Sequence, residues 1–207
     1  MKIKLITATL FALAIGFTSC NSGGKNDKNQ KDTISKVDTV AEIDLMVVSE
    51  KIVKAIKAKD YETFVNFIHP SEGVRFSAMS SFDAKDDKVL TKEQILDLSK
   101  TKKPFTWGIQ EGIGDHIKLN IDKYFNEFVY DVDFLTVGKK QINKITNINN
   151  SPNNINEVFP KSEFVEFYFA GEKGKYDGLD WKALILVFKK ENNNAYLVGV
   201  SHSQWAP

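Results

Sequence analysis

His69 and His202 are the side chains in this sequence best suited to proton chemistry, because imidazole titrates near neutral pH. As a pair they could act as general base and acid, or hold a metal ion. Asp131 or Asp180 could complete such a set by orienting an imidazole. Each histidine also has a structural role open to it. His69 stands directly before Pro70 and fits a helix-terminating cap, and His202 fits a hydrogen-bonding residue at a sheet edge. No H-x-H, H-E-x-x-H or carboxylate-bearing metal spacing accompanies them, so the spacing favours the structural roles.

Arg75 is the single arginine among 28 basic residues. Lysine cannot supply a planar bidentate fork, so an arginine here reads as a clamp for a carboxylate or phosphate, and the implied ligand is a small anion. The alternative is an internal pair with Asp83, Asp131 or Asp180 that braces a strand. Trp107, Trp181 and Trp205 could line a sugar-stacking or ligand pocket, or could simply fill a core.

Several apparent motifs fail on spacing. "GVSHS", Gly199 to Ser203, lacks the second glycine of a nucleophile elbow. "GIGDHI" lacks the third glycine of a dinucleotide fingerprint, and "DVD" at 131–133 lacks the remaining ligands of a calcium loop. No cofactor or metal is therefore expected. With 28 basic against 27 acidic residues, there is no basic surplus of the kind that nucleic-acid binding requires.

The elements that must position these residues follow from periodicity. Leu45, Val48, Ile52 and Ile56 fall at helical spacing and predict a helix over 41–58. Asp60 can cap a second short helix, "YETFVNFI", which must end before Pro70. "GVRFSAM" reads as a short strand and "KPFTWGI" as extended. Thr91 with Gln94 forms a capping box for a helix over 92–99, and Asn120 caps another in "NIDKYFNEFVY". The period then changes. "EFVEFYFAG", "WKALILVFKK" and "AYLVGVSHSQW" are strands, the last two joined by "ENNN". "KALILVF" is apolar on both faces and fits a central strand covered on both sides. The Asn-rich stretch from about 143 to 156 reads as a long loop. Helices first and hairpins last predict the α+β class.

The stretches "HPSEGVRFSAM", "FTWGIQEGIGDHI", "FVYDVDF", "GLDWKALILVF" and "YLVGVSHSQWA" resemble an uncharacterised family of bacterial secreted and envelope domains, in order over about residues 45–207. The resemblance singles out His69, Pro70, Gly73, Arg75, Phe76, Trp107, Gly112, Gly114, Asp180, Trp181, His202, Gln204 and Trp205. Ser203 and His116 depart from it, standing where an acid and a proline are expected. The family brings no known activity. More loosely, helices feeding a curved antiparallel sheet resemble the nuclear-transport-factor-like cone fold, which implies a single domain that often encloses a pocket.

The amino-terminal end concerns address rather than chemistry. Lys2 and Lys4 precede an apolar run from Leu5 to Phe17, the form of a secretory signal and too short to span a membrane. The residues before Cys20 resemble a lipobox, with Phe17 where leucine is usual. The resemblance implies a signal peptide over 1–19 and a diacylglycerol on Cys20, the chain's only cysteine. With that sulfur lipidated, disulfides and thiolate chemistry are excluded. Asn21 after the cysteine implies the outer membrane, on its periplasmic face. Residues 20–37 read as a tether of roughly 20–25 Å root-mean-square span, and 38–207 as one domain. Asp32-Thr33-Ile34 and Asp38-Thr39-Val40 resemble a D-(S/T)-aliphatic O-glycosylation sequon, which would place a glycan on Thr33 or Thr39. The partners implied are the membrane and either a small anionic ligand or an envelope protein. The expected function is a non-enzymatic binding or interaction module, with two alternatives. One is a hydrolase or isomerase using His69 or His202, Arg75 and an Asp, and the other a structural envelope component.

Overall fold

Asp44 opens the first helix by accepting hydrogen bonds from the backbone of Met46 (2.9 Å) and Val47 (3.2 Å), two of the donors a helix start leaves unpaired. Helix α1 (Leu45–Ala58) buries Leu45, Ile52, Val53 and Ile56 on one face and stops where Lys59 turns left-handed. The computed structural model describes residues 43–110, 114–146 and 153–205. The signal-like segment, Cys20, the tether with Thr33, Thr39 at the start of the expected domain, and Gly112 lie outside the described residues.

Asp60 caps α2 (Tyr61–Phe64), which tightens into a 3-10 turn over Val65–Phe67 before Pro70. Strand β1 (Val74–Ser77) pairs with β2 (Lys88–Leu90). The turn into β1 requires Gly73, whose φ is +70° and where a Cβ would sit 2.6 Å from the Leu90 carbonyl oxygen. The Thr91–Gln94 capping box forms as predicted and starts α3 (Lys92–Thr101). Strands β3 (Phe105–Ile109) and β4 (His116–Leu119) make a separate two-stranded ribbon. Asn120 then caps α4 (Ile121–Phe128), which leads through α5 (Phe134–Val137) to β5 (Lys139–Ile142). The stretch read as a long loop ends in α6 (Ile155–Val158), whose first two residues fall within it.

The carboxy-terminal third is β6 (Glu163–Phe169), β7 (Lys182–Glu191) and β8 (Asn194–Gln204). Asn192 and Asn193 both take positive φ and close the β7–β8 hairpin, as a two-residue turn between right-twisted strands demands. The six-stranded sheet runs β2-β1-β8-β7-β6-β5. The expected antiparallel pattern holds except between β1 and β8, which are parallel. Most of the chain separates those two strands, so no hairpin constrains their direction.

β7 lies inside the sheet and is covered on both faces. Leu184, Leu186 and Phe188 face the larger core, built with α1 through α4. Ile185 and Val187 face a smaller core with Phe82, Ile155, Phe159 and Phe164. Opposite Val187 and Phe188 the register slips by one residue, so that Val198 and Gly199 both face the smaller core. Such a bulge bends the sheet. A Cβ at Gly199 would lie 3.0 Å from both the Phe82 and Phe159 rings, so the second layer packs closely over this glycine and a larger residue would require the rings to shift. The architecture is α+β, with helices packed on a curved, open antiparallel sheet. Among the described residues, no helix is long and apolar enough to cross a membrane.

Candidate functional site

Strand alternation places His202 on the helix-covered face of β8, opposite Leu184 on β7. Just beyond α4 the chain presents Asp131 to it. His202 Nε2 lies 3.1 Å from Asp131 Oδ1, so the proton of that hydrogen bond sits on Nε2, and Lys182 at the start of β7 pairs with Asp131 Oδ2. Burial pushes the Asp131 carboxyl up, but the His202 hydrogen bond and the Lys182 ammonium outweigh it and hold the group below the ordinary aspartate value. An open cleft of about 490 Å³ adjoins this cluster, lined by Gln110, Lys123, Asn126, Glu127, Phe128, Asp131, Lys182 and Gln204.

This geometry limits what the cluster can do. His202 is 1 % exposed, does not line the cleft, and has its Nε2 engaged by Asp131, so its imidazole is not presented to a substrate there. Both Asp131 oxygens are engaged, and a carboxylate held ionised by two donors is a weak base. The cluster fixes the floor of the cleft rather than moving protons in it.

His69 is arranged differently. Its Nδ1 accepts from the backbone of Glu72 (3.0 Å) and Ser71 (3.3 Å), which puts the neutral ring's proton on Nε2 and makes the ring a cap of the turn that follows Pro70. The expected helix-terminating cap does not form, because the preceding 3-10 turn already closes at Ile68 and its carbonyls need donors. Nε2 lies 3.3 Å from Glu191 Oε2 and 3.9 Å from Glu72 Oε1, without the alignment of a hydrogen bond to either. These three residues could surround a cation, but they do not fit one. A metal on Nε2 would move the ring proton to Nδ1, where it would face two N–H donors. Lys189 already joins Glu72 and Glu191, and would have to leave.

Arg75 donates from Nη1 to the Asp83 carbonyl oxygen (3.3 Å) and lines neither this cleft nor the second one described below. The anion clamp expected of it therefore has no cavity there, and the internal alternative names the right partner but the wrong atom. Asp180 Oδ2 accepts from the Glu172 backbone (2.8 Å) and pins the loop before β7; Gly171 leaves room for that carboxylate. Trp107 is buried, and its indole N–H donates to the Leu119 carbonyl (2.9 Å). Trp181 is buried against Tyr168, and Trp205 is partly exposed just past β8. The expected grouping of Arg75 with the three tryptophans around one ligand does not occur at either cleft. The fold does bring together His202 and Asp131, with Lys182 and Gln204 beside them.

Asp87 was not singled out from the sequence. It lies in a smaller cleft of about 210 Å³ with Ser77, Met79, Ser81, Asp83, Asp86 and Ile109. Burial raises its carboxyl to about 6, against the opposing pull of the Asp83 backbone N–H and the Arg75 charge. The Tyr124 hydroxyl is buried without a hydrogen-bond partner, and the Asp87 charge acts with burial to push it up. The acid run "DAKDD" was visible, but the burial that perturbs one member of it is a tertiary property. Because the folded carboxyl titrates above its unfolded value of 3.8, its protonated form stabilises the fold below that pH, and the contribution is lost as pH rises towards 6. Asp87→Asn keeps an acceptor for the Asp83 N–H. It is expected to stabilise the protein above pH 6 by about 1–2 kcal/mol after allowance for solvent screening, and to leave it unchanged near pH 3.5. Urea unfolding across that range checks this, and equal effects at both ends would contradict it.

No family model matches the chain, and no curated protein matches it. Among solved structures it is similar to a protein from Xanthomonas campestris described as a calcium/calmodulin dependent protein kinase II association domain. The identity is 12 %, covering 77 % of this chain and 84 % of that one, with a TM-score of 0.31. It is also similar to RV0760c from Mycobacterium tuberculosis, solved in complex with estradiol-17beta-hemisuccinate. There the identity is 10 %, the coverage 78 % and 92 %, and the TM-score 0.27. At these TM-scores neither likeness carries an argument about ligand or activity.

Proposed function

We propose that this chain is a lipid-anchored protein of the bacterial cell envelope whose α+β domain is a binding module. The observation that supports binding over catalysis is the state of its candidate acid–base groups. His202 is buried and paired with Asp131 in the cleft wall, His69 caps a turn, and Arg75 is tied to a carbonyl, while the polar cleft beside α4 stays open. A module that holds a ligand needs the cleft, and none of these groups has to move a proton.

The anchor is supported by the sequence around Cys20, an apolar run followed by a cysteine and a polar tether. One acyl chain binds a bilayer marginally and two bind it stably, so a diacylated cysteine suffices without a spanning helix. The proposed address is the periplasmic face of the outer membrane. Cells fed an alkyne analogue of palmitate should label the full-length protein, which should sediment with membranes. Cys20→Ala should abolish the label and release the protein into the soluble fraction. An unlabelled wild-type protein, or a Cys20→Ala variant that still sediments, would overturn the anchor.

A further inference from the structure

The cleft beside α4 has a lining that selects a ligand class. Its two ammonium groups, Lys123 and Lys182, are matched by two carboxylates, Glu127 and Asp131. Lys182 is already paired with Asp131, so the site offers no net charge to an anion or a cation. What remains facing the space is a set of carboxamides, Gln110 at the end of β3, Asn126 on α4 and Gln204 at the end of β8, with the apolar ring of Phe128.

A carboxamide presents an acceptor oxygen and two donor hydrogens in one plane. A ligand that satisfies three of them must itself offer closely spaced groups that both donate and accept, which is what adjacent hydroxyls do. Phe128 supplies an apolar surface against which the C–H face of a sugar ring can lie. Acetate or phosphate can only accept, so it could not use the amide acceptors, and it would come close to the like charges of Glu127 and Asp131. A hydrocarbon would leave every polar group in the lining desolvated.

We infer that this cleft is a subsite for a neutral carbohydrate, held by the carboxamides of Gln110, Asn126 and Gln204 against Phe128. The inference rests on the binding-module reading and gives that module a ligand class. The floor of the subsite is rigid, because Lys182 and Gln204 are cross-strand partners in the β7–β8 ladder and Asp131 is locked by His202. The carboxamides of Gln110, Asn126 and Gln204 are all exposed, so each can reach a ligand in the cleft.

The test is calorimetric titration of the full-length protein in detergent. The probes are glucose, galactose, mannose, N-acetylglucosamine and their β-1,4-linked disaccharides, with acetate and inorganic phosphate as the charged comparison. At least one neutral sugar should bind in the millimolar range or tighter, and neither anion should. The double variant Asn126→Ala/Gln204→Ala should keep its circular dichroism spectrum, because both residues are exposed, and should lose about tenfold in affinity through two missing hydrogen bonds. No heat from any neutral sugar up to about 50 mM would overturn the inference, a concentration at which even a weak site is largely filled. Sugar binding unchanged in the double variant would overturn it too. Phosphate or acetate binding that depends on Lys123 would also overturn the sugar assignment, while leaving the binding-module reading standing. The palmitate label on Cys20 reads the anchor independently of all three.

Discussion

A Trp107→Ala variant should unfold about 4 kcal/mol more easily than the parent. The indole is 1 % exposed and lies face to face with Tyr124, ring centres 3.9 Å apart and planes 7° apart. Phe76 and Phe105 meet it edge-on at 5.5 and 5.2 Å and Phe125 at 6.4 Å, so removing it strips contacts from four other rings at once. Aromatic pairs of this kind add to the energy of burial itself. The space left would be walled by Phe76, Tyr124 and Phe125, and these already hold one another in place and cannot collapse into it. The lost hydrogen bond to Leu119 also leaves a carbonyl at the β4 end without its donor. Trp107→Phe keeps a stacking ring and loses the donor and part of the volume, so about 1–2 kcal/mol is expected of it. Urea unfolding of the two variants separates these terms. A cost below about 2 kcal/mol for the alanine variant would mean that the ring is not a support of the larger core, and that a ligand role for it has to be reopened.

The parts of the fold legible in the sequence were those specified by local chemistry. The Asp60, Thr91 and Asn120 caps work as read, because a cap needs only a side chain and the backbone two or three residues on. β7 was legible because "KALILVF" is apolar on both faces, and the second face is indeed covered. What was not legible is short or depends on distant parts of the chain. β5 is four residues, "KKQI", at a sheet edge, where lysines discourage unwanted pairing and mask any alternation. β2 and α6, at three and four residues, carry no period to detect. The parallel register of β1 on β8 is set by packing and by no local signal. The site divides in the same way. His202 and Asp131 were each candidates by residue type, yet their pairing spans 71 positions and no spacing could announce it. The cleft's carboxamides carried no signal, because Gln110, Asn126 and Gln204 acquire meaning only where α4 crosses the ends of β3 and β8.

The second large effect belongs to Asp131. Asp131→Ala leaves the His202 N–H, on a ring 1 % exposed, without its acceptor and leaves the Lys182 ammonium without its counter-charge. Breaking one partner out of a buried ion pair costs about 3–5 kcal/mol, because the remaining polar groups stay desolvated and unpaired. Asp131→Asn retains an oxygen for His202 and gives up only the charge, so roughly half of that cost is expected. The pH dependence separates this account from simple loss of packing. The folded carboxyl lies below its unfolded value of 3.8, so its contribution is present above that pH and is lost as pH falls through the folded value. The parent should therefore lose stability relative to Asp131→Ala on acidification below pH 4, and the gap between them should narrow there. A gap that is constant with pH would show that the charge is not what the cluster contributes. The outcome also bears on the cleft. If Asp131 is a structural anion, its removal should loosen the ends of β7 and β8, where Lys182 and Gln204 face each other, and should weaken sugar binding without shifting its pH dependence. If the carboxylate were instead a base acting on a ligand, Asp131→Asn would spare stability and change only the pH profile, an outcome that the pairing of both its oxygens argues against.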